Sequence, residues 1–156
     1  MASWGTVDIK QLIKLRDGVA ETNDVVDEFM RAVAKEFATR FLRLVVKGTP
    51  VGIYPSGSGK TGGTLRRGWT AQQSGSVSRF VDSLSIRFDG ENYTVEIVND
   101  VDYASYVEFG HRTPNGKGWV SGRFMMTKSE IIANREFPKI AEKKMLEFLK
   151  RQMKNG

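Results

Sequence analysis

The sequence contains no cysteine, which excludes disulfides, thiolate nucleophiles and Cys-ligated metals and points to synthesis in a reducing cytoplasm. It has one histidine, His111, so any site that needs an imidazole must be built around that residue. No run of about 18 apolar residues occurs, and no membrane span is expected. The start, Met1-Ala-Ser-Trp-Gly-Thr-Val-Asp8, lacks the basic opening and apolar stretch of a signal peptide. Cations are missing from one region altogether, since residues 88–110 hold six acids and neither Lys nor Arg.

What is present is charge of both signs, set in blocks. The net charge of +6 conceals segment values of 0 over 1–46, +5 over 47–87, −6 over 88–110, +3 over 111–127 and +4 from Lys128 onward. An acidic block between basic stretches favours complementary protein surfaces over a uniform polyanion-binding face. A chain of 156 residues fits one domain, spanning 1–156.

Residues 8–18 read as a short helix carrying Ile9, Leu12, Ile13 and Leu15. Thr22 or Asn23 reads as the N-cap of a much stronger one, with Asp24, Asp27 and Glu28 suiting its positive start. Val26, Phe29, Met30, Val33, Phe37, Phe41, Leu44 and Val45 recur at spacings of three and four, and Gly48 and Pro50 end the pattern. The aromatic stripe reads as core packing. Residues 49–78 are broken by glycines and read as a long mobile loop, with a strand beginning in Thr64-Leu-Arg-Arg-Gly-Trp69. Alternation over 82–88 and 93–98, joined by Asp89-Gly90-Glu91-Asn92, predicts a β-hairpin. Residues 102–109 fit a short helix ended by Gly110, and 111–122 reads as a second mobile Gly-rich loop. Met125 and Met126 are expected to return to the sheet. Ser129 is expected to cap a last helix with Ile131, Ile132, Phe137, Ile140, Met145, Phe148 and Leu149 inward and a kink or restart at Pro138. The fold class is α+β, with a long N-terminal amphipathic helix and a C-terminal helix on a small, mainly antiparallel sheet.

Candidate chemistry is sparse. Gly57-Ser-Gly-Lys-Thr61 is a partial phosphate-loop match, but Tyr54 stands where the first glycine belongs and no buried strand precedes it. His111 with Asp100, Asp102 and Glu108 has no metal-ligand spacing. No catalytic residue, cofactor site or metal site is assigned. Lys60, Arg66, Arg67 and Arg79, with Trp69, make a basic stretch that suits a partner surface or phosphates. A surface around Tyr103, Tyr106, Glu108, Phe109, Asp100, Asp102 and Arg112 is the candidate subunit or partner interface. Taken alone, the apolar residues of 103–109 are helix packing and Glu108 is a surface acid.

The order of segments resembles the phage tail-completion family, small neck proteins of the gene-product-ten-like type. Four pieces carry the likeness: a long helix ending in Gly48-Thr-Pro-Val51; Gly63-Thr-Leu-Arg-Arg-Gly-Trp69 after a Gly-rich loop; Val101-Asp-Tyr-Ala-Ser-Tyr-Val-Glu-Phe-Gly110 after the hairpin; and Gly122-Arg-Phe-Met-Met126 before the last helix. Tail terminators of prophages and contractile tails are similar. The resemblance implies a non-enzymatic virion protein of the neck, made in the bacterial host cytoplasm, that completes the tail and helps join it to the head. Its implied partners are the head connector, tail terminator and tail tube. Its implied assembly is a homo-oligomeric ring, with a hexamer as one candidate, around the DNA channel and within reach of non-specific DNA contact. The residues alone leave two other classes open, a basic DNA-binding module and, further off, a metal-dependent nuclease.

Overall fold

A computed structural model describes residues 23–72 and 75–155. The short helix expected over 8–18 lies outside them. The first described element, α1 (Asn23–Gly48), runs 26 residues, or about 39 Å at 1.5 Å per residue. Its apolar stripe is buried as expected, with Met30, Val33, Leu42 and Val45 at 1% exposure or less. Asp24 and Lys47 sit at the ends that the helix dipole favours. The helix stops where Pro50 removes the next backbone donor.

Two short helices follow, α2 (Thr64–Gly68) and α3 (Val77–Ser83). The strand expected at 64–69 is therefore a helical turn, and the span 49–78 is not one continuous loop. The reason is Leu65 and Trp69, four apart, which both enter the core from one helical face. Ser76 caps α3 by accepting from the Arg79 N–H.

The first hairpin, β1 (Ile86–Phe88) and β2 (Tyr93–Val95), forms as expected, with Ile86 opposite Val95 and Phe88 opposite Tyr93. Residues 82 and 83 belong to α3 rather than to the strand. Asp89 closes the turn by accepting from the N–H groups of Glu91 (2.9 Å) and Asn92 (2.8 Å), which lowers its pKa. Next come α4 (Ala104–Phe109), β3 (Gly110–Arg112) and β4 (Trp119–Ser121). The expected Gly-rich loop over 111–122 is thus a second hairpin. Its turn is tied by Thr113 Oγ1, which donates to Asn115 Oδ1 and accepts from the Gly118 N–H. The α+β class holds, with the strands as two separate two-stranded antiparallel sheets.

The last element, α5 (Met125–Asn155), spans 31 residues and passes through Pro138 without a break. Pro138 and Asn134, whose carbonyl loses its i+4 donor, are both exposed, so water can take the vacant acceptor. Met125 and Met126 are buried in the first turn of α5 rather than in a sheet. Ser129 does not cap it. Its buried hydroxyl donates to the Met125 carbonyl inside the helix.

The core sits between α1 and α5, which run antiparallel. Phe37 meets Phe137 edge-on at 5.4 Å, and Phe29 lies 5.1 Å from Phe148. Ion pairs Arg151–Glu28, Lys144–Glu36 and Arg40–Glu136 line the seam in matching order. These surface pairs set register more than stability. Ala133 and Ala141 are the small inward residues that let the helices approach. Ile140 is buried and Phe137, Met145 and Phe148 are half-buried, but Ile131, Ile132 and Leu149, expected inward, face solvent. The 3.6-residue period allows α5 only one seam with α1, and those three lie off it.

The first hairpin is pinned to α1 by Asp27 and Arg31. Arg31 donates to Asp27 (2.7 Å) and to the Ile86 carbonyl (2.6 Å), and the Tyr93 hydroxyl donates to Asp27 (2.9 Å). The Arg31 bond, assisted by that from Tyr93, holds the Asp27 carboxyl below its ordinary pKa despite partial desolvation. A folded-state pKa below the unfolded one means the contribution is present above the ordinary aspartate range and is lost as pH falls through the folded value. Asp27→Asn should therefore be less stable than wild type at pH 7, and the gap should close on acidification. Urea midpoints across a pH series check this, and a gap constant with pH would contradict it.

Candidate partner interface

The four motif segments converge on two junctions. At the first, the Trp69 indole N–H donates to Thr49 Oγ1 at 2.8 Å, and that hydroxyl donates to the Val45 carbonyl at 2.6 Å. Both side chains are almost wholly buried. Arg66 donates twice to the Thr49 carbonyl, at 2.8 and 3.2 Å, placing a cation at the negative end of α1. Asn99 extends the junction, giving an N–H to the Leu65 carbonyl and taking one from Val101.

At the second junction Glu108 caps α5. Its carboxylate accepts from the Met126 N–H (2.9 Å), the Thr127 N–H (3.0 Å) and the Thr127 hydroxyl (2.8 Å). Phe124, whose carbonyl accepts from the Lys128 N–H to open the helix, has no side-chain acceptor and a left-handed φ of 52°. Glu108 supplies what a Ser or Asp would ordinarily supply there, reaching the Met126 N–H 18 positions downstream of itself. Backbone bonds from Arg123 to Val107 and from Phe124 to Glu108 lock the two segments side by side. The contact is so close that a Cβ on Gly122 would meet the Glu108 carbonyl oxygen, and one on Gly110 (φ 88°, ψ 174°) would meet that of Val120. Glu108 is 3% exposed, so the expectation of a surface acid is corrected: the residue is a structural cap.

Of the remaining candidates, Asp100, Asp102, Tyr103 and Tyr106 divide between two clefts beside α4, and Phe109 and Arg112 line neither. One, of about 480 Å³, is lined by Asp100, Asp102 and Ser105 over a floor of Trp69, Met125 and Met126. The other, of about 390 Å³, is lined by Tyr54, Tyr103, Tyr106, His111, Val120 and Arg123. Tyr103, Tyr106 and Phe109 are all more than 40% exposed, so packing covers only part of each ring. Arg112 is exposed on β3. His111 is half-buried, 5.9 Å from the Tyr106 ring, with its Nδ1 buried and without a hydrogen-bond partner.

The basic stretch fares differently. Arg66 is committed to Thr49, and Arg67 donates to the Gly62 carbonyl and Thr64 hydroxyl. Lys60 lies over the Tyr54 ring at 5.9 Å, and Arg79 is exposed. Within the acidic block, Glu96 pairs with Arg87, while Asp100 and Asp102 are exposed and make no ion pair among the described residues. Also among the described residues, no three His, Cys, Asp or Glu side chains stand together as a metal site, and no helix is long and apolar enough to cross a membrane. Sequence reasoning overlooked Tyr54 and Val120, which line the aromatic cleft, and their exposed neighbours in sequence, Ile53 (95% exposed) and Trp119. Large apolar residues inside Gly-rich, aperiodic stretches were the available signal.

The motif residues thus build a scaffold: their polar groups are spent on backbone, and exposed aromatics and acids are left on its rim. A family model described as "Bacteriophage HK97-gp10, putative tail-component" matches residues 13–110. The chain belongs to this HK97-gp10-like family of phage tail components. No curated protein and no solved structure matches it.

Glu108→Ala should cost about 2–3 kcal/mol, as expected for a buried charge-assisted cap, and lower the melting temperature by roughly 5–10 °C. Glu108→Gln keeps one acceptor but turns an amide toward a backbone N–H, so it should lose about half as much. Calorimetry of the two variants reads both values. A wild-type melting temperature in Glu108→Ala would contradict the capping role.

Proposed function

We propose that the chain is a structural, non-enzymatic part of the phage neck that completes the tail and helps join it to the head, as a ring around the DNA channel. Membership of a phage tail-component family supports the general role. The observation that carries the finer reading is the exposed acidic and aromatic rim around α4, held on a rigid scaffold by Glu108 and Asn99. A rim of that kind suits a repeated protein contact. Exposed aromatic rings supply apolar area with few rotamers to immobilise, and unpaired carboxylates supply orientation. In a ring each copy presents one patch to a different patch on the next, and the block-wise charge of this chain suits such a heterologous contact. Its other partners are the head connector, tail terminator and tail tube, and its location is the virion neck.

Phage particles assembled without this protein should accumulate as separate DNA-filled heads and tails, seen by electron microscopy, and adding the purified chain should restore joined particles. Joined, infectious particles in its absence would defeat the proposal.

A further inference from the structure

The outward side of α5 carries a surface that neither the core nor either cleft uses. Ile131, Ile132, Leu146, Leu149 and Met153 are all at least 40% exposed. At 100° per residue they fall within an arc of about 100°, opposite the seam with α1, and extend for roughly 33 Å. The same arc, widened by about 20°, holds exposed Lys128, Arg135, Lys139, Lys143 and Lys150, with Glu142 as its acid. None of those five cations makes an ion pair among the described residues. A face of aliphatic groups between cations is neither a solvated helix side nor a duplex-binding stripe, since phosphates reward the cations and nothing there rewards the aliphatics.

Charge selects the occupant. Two α5 faces would bring cation against cation, so self-pairing is disfavoured. The partner must be acidic and partly apolar. This chain carries both elements at Asp100, Asp102, Tyr103 and Tyr106, where exposed carboxylates without ion pairs lead along the chain into exposed rings at the start of α4, in a block free of Lys and Arg. We propose that the outward face of α5 receives the Asp100–Tyr106 surface of a second copy of this chain. The inference rests on the ring reading above and names its contact. Carboxylates would meet the lysines, tyrosine rings would lie against aliphatic groups, and lysines could lie over ring faces.

Area sets the strength. A strip of about 33 by 10 Å offers about 330 Å², well below the roughly 800 Å² per partner of a stable specific pair. A single contact of this size is weak, and closure of a ring, in which every copy is held at two faces, makes it persist. Association should therefore be concentration-dependent and weaken from about 0.05 to about 0.5 M salt.

Sedimentation velocity of the full chain at about 100 µM in low salt tests it. Two variants carry exposed, outward changes: Lys139→Glu with Lys143→Glu, and Asp100→Lys with Asp102→Lys. Wild type should associate, and each variant should lose association by about tenfold or more. An equimolar mixture of the two should recover it, because each altered face then meets an opposite charge. Recovery also rules out misfolding as the cause of the loss. If both variants associate like wild type, this contact is wrong while the ring reading stands with another. A wild-type chain that is monomeric throughout removes both. If the lysine variant keeps association but loses retention of a duplex DNA fragment in a gel-shift assay, the α5 face binds nucleic acid and the proposal fails.

Discussion

The carboxylate of Glu108 joins the two halves of the molecule. Everything upstream of it leads to a short helix that would be marginal alone, and everything downstream depends on a 31-residue helix that opens at a residue unable to cap itself. By accepting from the first turn of α5, Glu108 fixes where that helix starts and in which direction it leaves. That direction decides whether the α5 seam meets the α1 seam in register. The cost of burying the charge is offset by three donors and the positive end of a long helix dipole. The tight backbone approach at Gly110 and Gly122 holds the donors at hydrogen-bonding distance.

The same economy appears at the other junction. Thr49, Arg66 and Trp69 are polar or amphipathic groups in a neighbourhood where sequence would suggest a partner-facing loop. Two of the three are nearly invisible to solvent. Their hydrogen bonds fasten α2 across the end of α1 and leave the aromatic cleft in a fixed setting. The Gly-rich segments do not merely link elements, because the hairpin 110–121 and the turn at Thr113 are internally hydrogen-bonded.

Periodicity made some of this legible. The α1 stripe, the Asp89 turn and the Gly110 stop follow from local rules, and each stands where those rules put it. The α5 face did not, because Ile131, Ile132 and Leu149 obey the helical period as well as the buried residues do, and only the position of α1 decides which stripe is inward. Glu108 was read as a surface acid because its partner lies 18 residues away and a lone Glu carries no mark of burial. Leu65 and Trp69 were read as a strand because the run is too short for period to distinguish a helical turn from extended chain. The order of segments is a local property of the chain, while the two hydrogen-bonded junctions that explain it join residues 16 to 34 positions apart, beyond the reach of local pattern.

The antiparallel pairing of α1 with α5 also has a consequence in time. The Arg151–Glu28 contact closes over 123 residues. At a synthesis rate of about 5–20 residues per second, the apolar side of α1 leaves the ribosome roughly 6–25 seconds before its mate exists. During that interval Phe29, Phe37 and Phe41 lack the part of their cover that α5 supplies. The nascent chain thus passes through a stage in which an amphipathic helix stands without the long helix that later covers much of its apolar side.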